Sequence, residues 1–190
     1  MSVDVPRRWV GQLLVATPAL EDPHFRRTVV LLLDHDDDGA LGVALDRPLE
    51  TRIADVLPGW EGVVGAPAQL FAGGPVSSGA ALGVAVLAAD TPSAPLGWRR
   101  MFGDTGLVDL DTPVQVVADA IVAMRVFAGY SGWGPGQLES EVAEGSWVLL
   151  AAEPDDLVST NPAGLWRQVW RRQGGWTGLL ADFPDDPGHN

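Results

Sequence analysis

Two apolar runs separated by a turn constrain the fold of this chain more than any other feature. Residues 28–33 form an unbroken run of Thr, Val and Leu, which is typical of a strand buried on both faces. The sequence Asp36-Asp37-Asp38-Gly39 then favours a tight turn, and residues 40–45 form a second apolar run. The pattern therefore predicts a β-hairpin in the first quarter of the chain.

Strand and helix signals alternate irregularly after this hairpin. Further strands are predicted at residues 69–72, 82–88, 121–128 and 147–152, and helices at residues 137–143 and in the stretch that ends at Arg172. A glycine-dense turn is predicted at residues 129–136. A hairpin followed by interspersed strands and helices predicts an α+β fold with a mixed sheet, and 190 residues suit a single domain.

Composition excludes several classes of function. The chain has no cysteine, which rules out disulfide scaffolding, thiol catalysis and thiolate metal sites. Its formal net charge is −13, so its mean field repels phosphates and disfavours direct nucleic-acid binding. Eight arginines form doublets, which we interpret as scattered solvated charges: Arg7-Arg8, Arg26-Arg27, Arg99-Arg100 and Arg171-Arg172.

The sequence predicts a cytoplasmic protein that does not enter a membrane. No segment reaches the roughly 18 uninterrupted apolar residues that a membrane-spanning helix needs. The N-terminal residues lack the apolar region of a secretory signal, because Gly11, Gln12 and Pro18 interrupt it.

No complete catalytic or metal-binding motif is present. Ser131 misses the G-x-S-x-G nucleophile pattern because Trp133 replaces the last glycine. Asp34, Asp36, Asp38 and Gly39 match the first six positions of a calcium loop, but position 12 is Leu45 and the flanks are predicted strands. We therefore favour a hairpin turn and keep calcium as an alternative, and we predict no cofactor.

Three segments together resemble the bacterial YqgE/AlgH family. They are Gly11-Gln12-Leu13-Leu14-Val15-Ala16-Thr17-Pro18 with Asp34-His35, Gly39-Ala40-Leu41-Gly42 and Asp46-Arg47-Pro48; Gly73-Gly74-Pro75; and the run from Gly129 to Glu141. The chain departs from the usual family pattern at Asp34, where Glu is common, and at Asp46, where Asn is common.

The resemblance implies a branched sheet that contains a small closed barrel surrounded by helices, in one domain at residues 9–175. Residues 1–8 would precede that domain, and residues 176–190 would form an acidic tail that frays. The family implies no established reaction, and its name implies a transcriptional-regulator-like role.

The resulting hypothesis is a non-catalytic, cytoplasmic regulatory or protein-interaction protein. Its candidate site residues are His35, Arg47, Gly73, Gly74, Trp133, Gln137 and Glu139. His35 and Gln137 would offer hydrogen bonds, Arg47 would contact an anion, and Glu139 would pair with Arg47 or cap a helix. Two alternatives stay open: a small-molecule-binding protein or cryptic enzyme with a pocket between the turns at 73–75 and 129–136, and a calcium-stabilised hairpin at 34–39.

Overall fold

A ten-stranded sheet organises the chain in the computed structural model, which describes residues 9–185. The strands are β1 (Gln12–Ala16), β2 (Val29–Asp36), β3 (Gly39–Ala44), β4 (Pro48–Arg52), β5 (Gln69–Ala72), β6 (Val76–Leu87), β7 (Trp98–Phe102), β8 (Thr105–Val108), β9 (Ile121–Trp133) and β10 (Trp147–Ala151). The helices are α1 (Ile53–Val56), α2 (Val114–Val117), α3 (Gln137–Ala143), α4 (Leu165–Gln173) and α5 (Gly175–Gly178). The predicted α+β fold with a mixed sheet is confirmed.

The sheet branches at its longest strand, β9. The main path runs β10-β1-β2-β3-β9-β6-β8-β7, and all these neighbours are antiparallel. One edge of β9 pairs with β6, while the other pairs first with β5, in parallel at Phe127 and Ala128, and then with β3 from Ser131 to Trp133. This branch brings the β2–β3 hairpin and the 73–75 segment to the same end of β9.

The sheet is curled rather than closed. Phe102 of β7 packs directly against Gly11 beside β1, where an added Cβ would lie 2.9 Å from the phenyl ring. The two ends of the path, β10 and β7, share no ladder in the described part of the chain. The structure is therefore a half-barrel, and the described pairings do not form the closed barrel that the resemblance implied.

Helix α4 covers the inner face of this half-barrel. Leu165, Trp166, Val169 and Trp170 lie on one side of the helix and are all buried against the central strands. The indole of Trp166 donates a hydrogen bond to the carbonyl of Ala16 at 2.8 Å, which fixes the helix against the end of β1. Burial of four large side chains on one stripe makes this helix a main source of core stabilisation.

Two predicted segments differ from the structure. The glycine-dense turn at 129–136 is wrong for residues 129–133, because β9 continues to Trp133 and only residues 134–136 turn. Residues 176–182, placed in a fraying tail, are helical, and Ala181 is fully buried. Residues 1–8, with the Arg7-Arg8 doublet, and residues 186–190 of the predicted tail lie outside the described residues.

The described helices are all short. None of those between residues 9 and 185 is long and apolar enough to cross a membrane.

Candidate functional site

His35 lies on the β2–β3 hairpin, just after a register shift between Leu32 and Asp34. Its ring is 1% exposed and stacks on the indole of Trp9, with centroids 4.6 Å apart and planes 19° apart. Nε2 lies 2.9 Å from a carboxylate oxygen of Glu139 on α3. Because a carboxylate only accepts, Nε2 carries the proton of this bond, and the pair ties the hairpin to the helix.

Glu141, one helical turn after Gln137, joins three side chains of the same face. Its Oε2 accepts the indole N–H groups of Trp133 and Trp147, both at 2.9 Å. Its Oε1 accepts a hydrogen bond from Nε2 of Gln137, also at 2.9 Å. Phe25 stacks on Trp133 and meets Trp147 edge-on, which encloses the two indoles. A single carboxylate therefore positions two buried aromatic rings.

The entry to α3 is fixed by Gln137. Its Oε1 accepts a hydrogen bond from the backbone N–H of Gly134 at 3.0 Å, which closes the short turn after β9. Gly136 has φ of +71°, a conformation that glycine adopts without the steric cost other residues pay. The helix boundaries match the prediction at residues 137–143.

Gly73 and Gly74 pack against the last part of β9. An added Cβ on Gly73 would lie 2.3 Å from the carbonyl oxygen of Gly129, and one on Gly74 would lie 2.3 Å from the Tyr130 carbonyl. The hydroxyl of Ser131 donates to the Gly73 carbonyl at 3.1 Å. The 73–75 segment and the end of β9 therefore meet in direct backbone contact, and the hydrogen bond to Gly73 engages the Ser131 hydroxyl.

Arg47 lies away from Glu139 and has other partners. Its guanidinium donates to the Thr28 hydroxyl at 2.6 and 2.9 Å and to the carbonyl of Arg26 at 2.6 Å. The suggested pairing of Glu139 with Arg47 is wrong, because Glu139 pairs with His35. Arg47 therefore secures the segment before β2.

Asp46, next to Arg47, is an almost fully buried carboxylate. Its Oδ1 accepts the backbone N–H of Val29 at 3.2 Å, while Oδ2 lies 3.8 Å from Nε of Arg47. Burial raises the pKa of Asp46 to about 6, and Arg47 and the hydrogen bonds only partly oppose this. Removal from water costs the charged carboxylate more free energy than its attraction to Arg47 returns.

A shallow recess opens beside the hairpin turn. It has a volume of about 270 Å³ and is lined by Trp133, by residues 39–41 and by three carboxylates, those of Asp34, Asp36 and Asp38. Asp36 accepts the backbone N–H of Asp38 at 2.8 Å, which is ordinary turn geometry. Among residues 9–185, no group of three potential ligands is arranged to hold a metal ion.

The tertiary structure thus brings His35, Trp133, Gln137 and Glu139 to one face, with Gly73 and Gly74 packed beneath the end of β9. Sequence reasoning missed Trp9, Glu141 and Trp147. Of these three, Glu141 had a sequence signal: it ends the third family segment, and it lies at i+4 from Gln137 on the predicted helix.

Comparison with known proteins places this face in a family context. Residues 13–178 match the family model described as AlgH-like. The chain belongs to the YqgE/AlgH family. Two relatives, each called a UPF0301 protein, come from Streptomyces avermitilis and Mycobacterium tuberculosis. The first is 54% identical and aligns over 95% of this chain and 94% of its own length. The second is 44% identical and aligns over 95% and 90%.

Two solved structures share the fold of this chain. The crystal structure of a Corynebacterium diphtheriae protein has a TM-score of 0.85 and 30% identity, and 91% of each chain aligns. The solution structure of AlgH from Pseudomonas aeruginosa has a TM-score of 0.67 and 24% identity over 95% of each chain. The second likeness concerns the fold alone.

Proposed function

We propose that this YqgE/AlgH protein is a non-catalytic regulatory protein of the cytoplasm that acts by binding another protein. Its partner-binding surface is the face formed by the β2–β3 hairpin, the end of β9 and α3. The observation that carries the proposal is the interlocking of this face by the His35–Glu139 bond and the bonds of Glu141 to Trp133 and Trp147. Because these side chains are hydrogen-bonded to one another, their positions are fixed, and the face they form is a rigid platform for binding.

A platform of this kind suits recognition because its side chains are ordered before the partner arrives. Binding then costs less conformational entropy, since fewer rotamers remain to be fixed. The recess beside Trp133 is open and about 270 Å³, which is below the usual range for an enclosed ligand site. It has room for one side chain of a partner.

Charge indicates the chemistry of that side chain. Carboxylates of Asp34, Asp36 and Asp38 line the recess, and the whole chain carries −13. A lysine or arginine of the partner would pair with these carboxylates. Electrostatic attraction would also steer a basic surface towards this face.

The test is protein capture from native lysate with a matched pair of double variants. Asp36→Asn/Asp38→Asn removes two recess charges, and Asp109→Asn/Asp111→Asn removes two exposed charges from the loop after β8. In both pairs the first Asp accepts the backbone N–H of the second, so the local structural change is the same. We expect a partner that is held by the wild type and the control but lost from the recess variant.

Equal retention by both variants would show that the recess is not the contact. Failure of the wild type to hold any partner would argue against an interaction function altogether.

A second candidate function, small-molecule binding, is favoured by a cavity elsewhere in the fold. The concave side of the half-barrel contains a space of about 570 Å³, within the usual range of ligand sites. Its walls are mostly apolar and include Leu31, Leu45, Val86 and Phe102, while acidic residues such as Asp104 and Asp155 lie at its rim. The matching ligand class is an apolar molecule with a cationic group.

Filling this cavity with a side chain tests the second candidate. Ala123→Phe places a ring in the cavity, and Ala80→Phe adds the same ring at an exposed position of β6. We expect the neutral probe N-phenyl-1-naphthylamine to fluoresce with the wild type and the control and to lose most of that signal with Ala123→Phe. Equal fluorescence from all three proteins would exclude this cavity as the binding site.

A further inference from the structure

Four arginine side chains from two distant parts of the chain converge on one short segment. Arg26 and Arg27 precede β2, whereas Arg167 and Arg171 lie on α4. The segment is 181–185, with the sequence Ala-Asp-Phe-Pro-Asp. The interpretation of the arginine doublets as scattered charges does not hold here, because the fold gathers these cations around a piece of the same chain.

The arginines hold the backbone of this segment through its carbonyl oxygens. Nη2 of Arg27 donates to the carbonyl of Phe183 at 2.7 Å and also to that of Pro184. Arg26 donates to the carbonyl of Asp185, and Arg167 to that of Ala181. Guanidinium donors that meet the carbonyls at the end of a short helix and of the residues after it are chemistry suited to a peptide ligand.

The carboxylates of the segment are held as well. Asp185 lies 2.9 Å from Nη1 of Arg27 and accepts from Nη2 of Arg167 at 3.0 Å. Asp182 accepts from Nη2 of Arg171 at 3.1 Å. The Asp185 side chain is 78% exposed, so water and salt screen these pairs and each adds little. The ion pairs of the exposed end, residues 182–185, are therefore weak enough for a competitor to replace them, while Ala181 stays buried in the core.

Mutual repulsion among the cations adds a reason for an anionic occupant. Burial lowers the pKa of Arg27, Asp185 raises it, and the neighbouring Arg167 and Arg26 lower it further. Beside the segment lies a cavity of about 360 Å³ between Arg26, Arg27, Phe183 and Pro18. The site therefore offers room beyond what residues 181–185 occupy.

We propose that Arg26, Arg27, Arg167 and Arg171 form a docking site for an acidic, phenylalanine-containing peptide segment of a partner protein, and that residues 181–185 occupy this site in cis. Nucleic acid is disfavoured as the ligand because three of the four arginines bind peptide carbonyl oxygens. This site uses other side chains than the recess beside Trp133, and the proposal goes beyond the function given above.

The test weakens the contacts of residues 181–185 in the full chain and measures how tightly a separate peptide of the same sequence binds. The variant Asp182→Asn/Asp185→Asn keeps the size of two exposed side chains and removes their charge. The probe is a fluorescein-labelled peptide with the sequence Leu-Leu-Ala-Asp-Phe-Pro-Asp, residues 179–185. We expect the variant to bind the probe at least about 10-fold more tightly than the wild type, because its site is free for a larger fraction of the time.

Two double arginine variants, each made in the Asp182→Asn/Asp185→Asn protein, show where the probe binds. Arg26→Ala/Arg167→Ala should weaken binding at least about 10-fold, in line with the loss of two charge-assisted contacts. Arg99→Ala/Arg100→Ala, an exposed doublet on β7, should leave binding unchanged. Arg27 is kept because its guanidinium also packs over the Trp166 ring at 4.6 Å.

Three outcomes would overturn the proposal: no gain in affinity on loosening the segment, equal loss in both arginine variants, or tighter binding of a labelled single-stranded DNA than of the peptide. Thermal unfolding of each variant confirms that folded proteins are compared. Neither recess charge at Asp36 or Asp38 is altered, so failure here leaves the proposed function standing.

Discussion

At the scale of single residues, Asp46 couples stability to pH. Its pKa is raised from 3.8 to about 6 by burial. As pH rises from about 4 to about 6, the unfolded chain releases this proton while the folded chain keeps it, so the free energy of unfolding falls. Above about pH 6 Asp46 is ionised in the folded chain as well, and the full free-energy cost of burying its charge then lowers the free energy of unfolding.

We expect Asp46→Asn to remove this cost, because the amide keeps an acceptor for the N–H of Val29 without a charge. The gain in unfolding free energy should be near zero at pH 4 and reach about 1 to 3 kcal/mol above pH 7, from a shift of about two pKa units. Urea unfolding of both proteins from pH 4 to pH 8 measures it. A gain that is equal at all pH values would contradict the assignment.

Arg125 on β9 is a second buried charge, and it is fully buried. Its guanidinium lies 4.0 Å from the Phe71 ring and donates to the carbonyls of Ala66 and Ser159 at 3.1 and 3.3 Å. No carboxylate of residues 9–185 pairs with it, and burial lowers its pKa to about 10. The folded chain therefore bears a desolvation cost that these contacts offset only in part, because Nε and Nη1 have no hydrogen-bond partner.

Replacement of Arg125 by methionine should be neutral or stabilise the protein by up to about 2 kcal/mol, since an apolar chain of similar length fills the space. Arg125→Ala, the control, should destabilise by about 2 to 4 kcal/mol because it leaves a cavity. Urea unfolding at pH 7 separates the two. A loss above about 2 kcal/mol in the methionine variant would mean that the guanidinium itself stabilises the fold.

At the scale of elements, the contact between the 73–75 segment and β9 decides how the sheet branches. Gly73→Ala would force a methyl group to 2.3 Å from the Gly129 carbonyl, so two backbones would have to move apart. We expect a loss of about 2 to 4 kcal/mol, in the range for steric disruption of a core. For Gly136→Ala the added methyl group meets open space. We therefore expect a loss of only about 1 kcal/mol, which is the cost of placing alanine at a positive φ.

Thermal unfolding of these two glycine variants provides the comparison. Equal losses would mean that conformational freedom, rather than close approach, is what Gly73 contributes.

At the scale of the whole molecule, charge decides which partners can approach. The net charge of −13 should prevent nonspecific DNA binding, for which dissociation constants are about 10⁻⁴ to 10⁻⁶ M in proteins that have it. The largest arginine cluster described above is covered by residues 181–185. We expect no binding of a labelled DNA duplex at about 0.15 M salt in a polarisation assay. Binding that weakens steeply with added salt would contradict this.

Local patterns predicted the elements well where local forces decide them. The hairpin of β2 and β3 followed from two apolar runs and an Asp-Gly turn, and α3 matched residue for residue. The turn at 129–136 was misjudged because glycine favours turns locally, whereas β9 continues there as neighbouring strands pair with it. Backbone pairing in the tertiary structure outweighed a local preference.

The candidate site was predictable only in part. His35, Trp133, Gln137 and Glu139 were named from family motifs, but the bond of His35 to Glu139 joins residues 104 positions apart. Glu141 lies in the same family segment as Gln137 and Glu139 but was not named as a site residue, although it holds both indoles. Distances between remote side chains depend on packing, which periodicity along the chain does not encode.

By itself, the sequence determined the family, the mixed α+β class, the first hairpin and the absence of cysteine chemistry, because these follow from residue types and short spacings. Only the tertiary structure decided that the sheet is a half-barrel, that Gly73 and Gly74 meet β9 in direct backbone contact, and that four arginines gather around residues 181–185. These outcomes depend on which surfaces exclude water together, and that is a property of the folded chain as a whole.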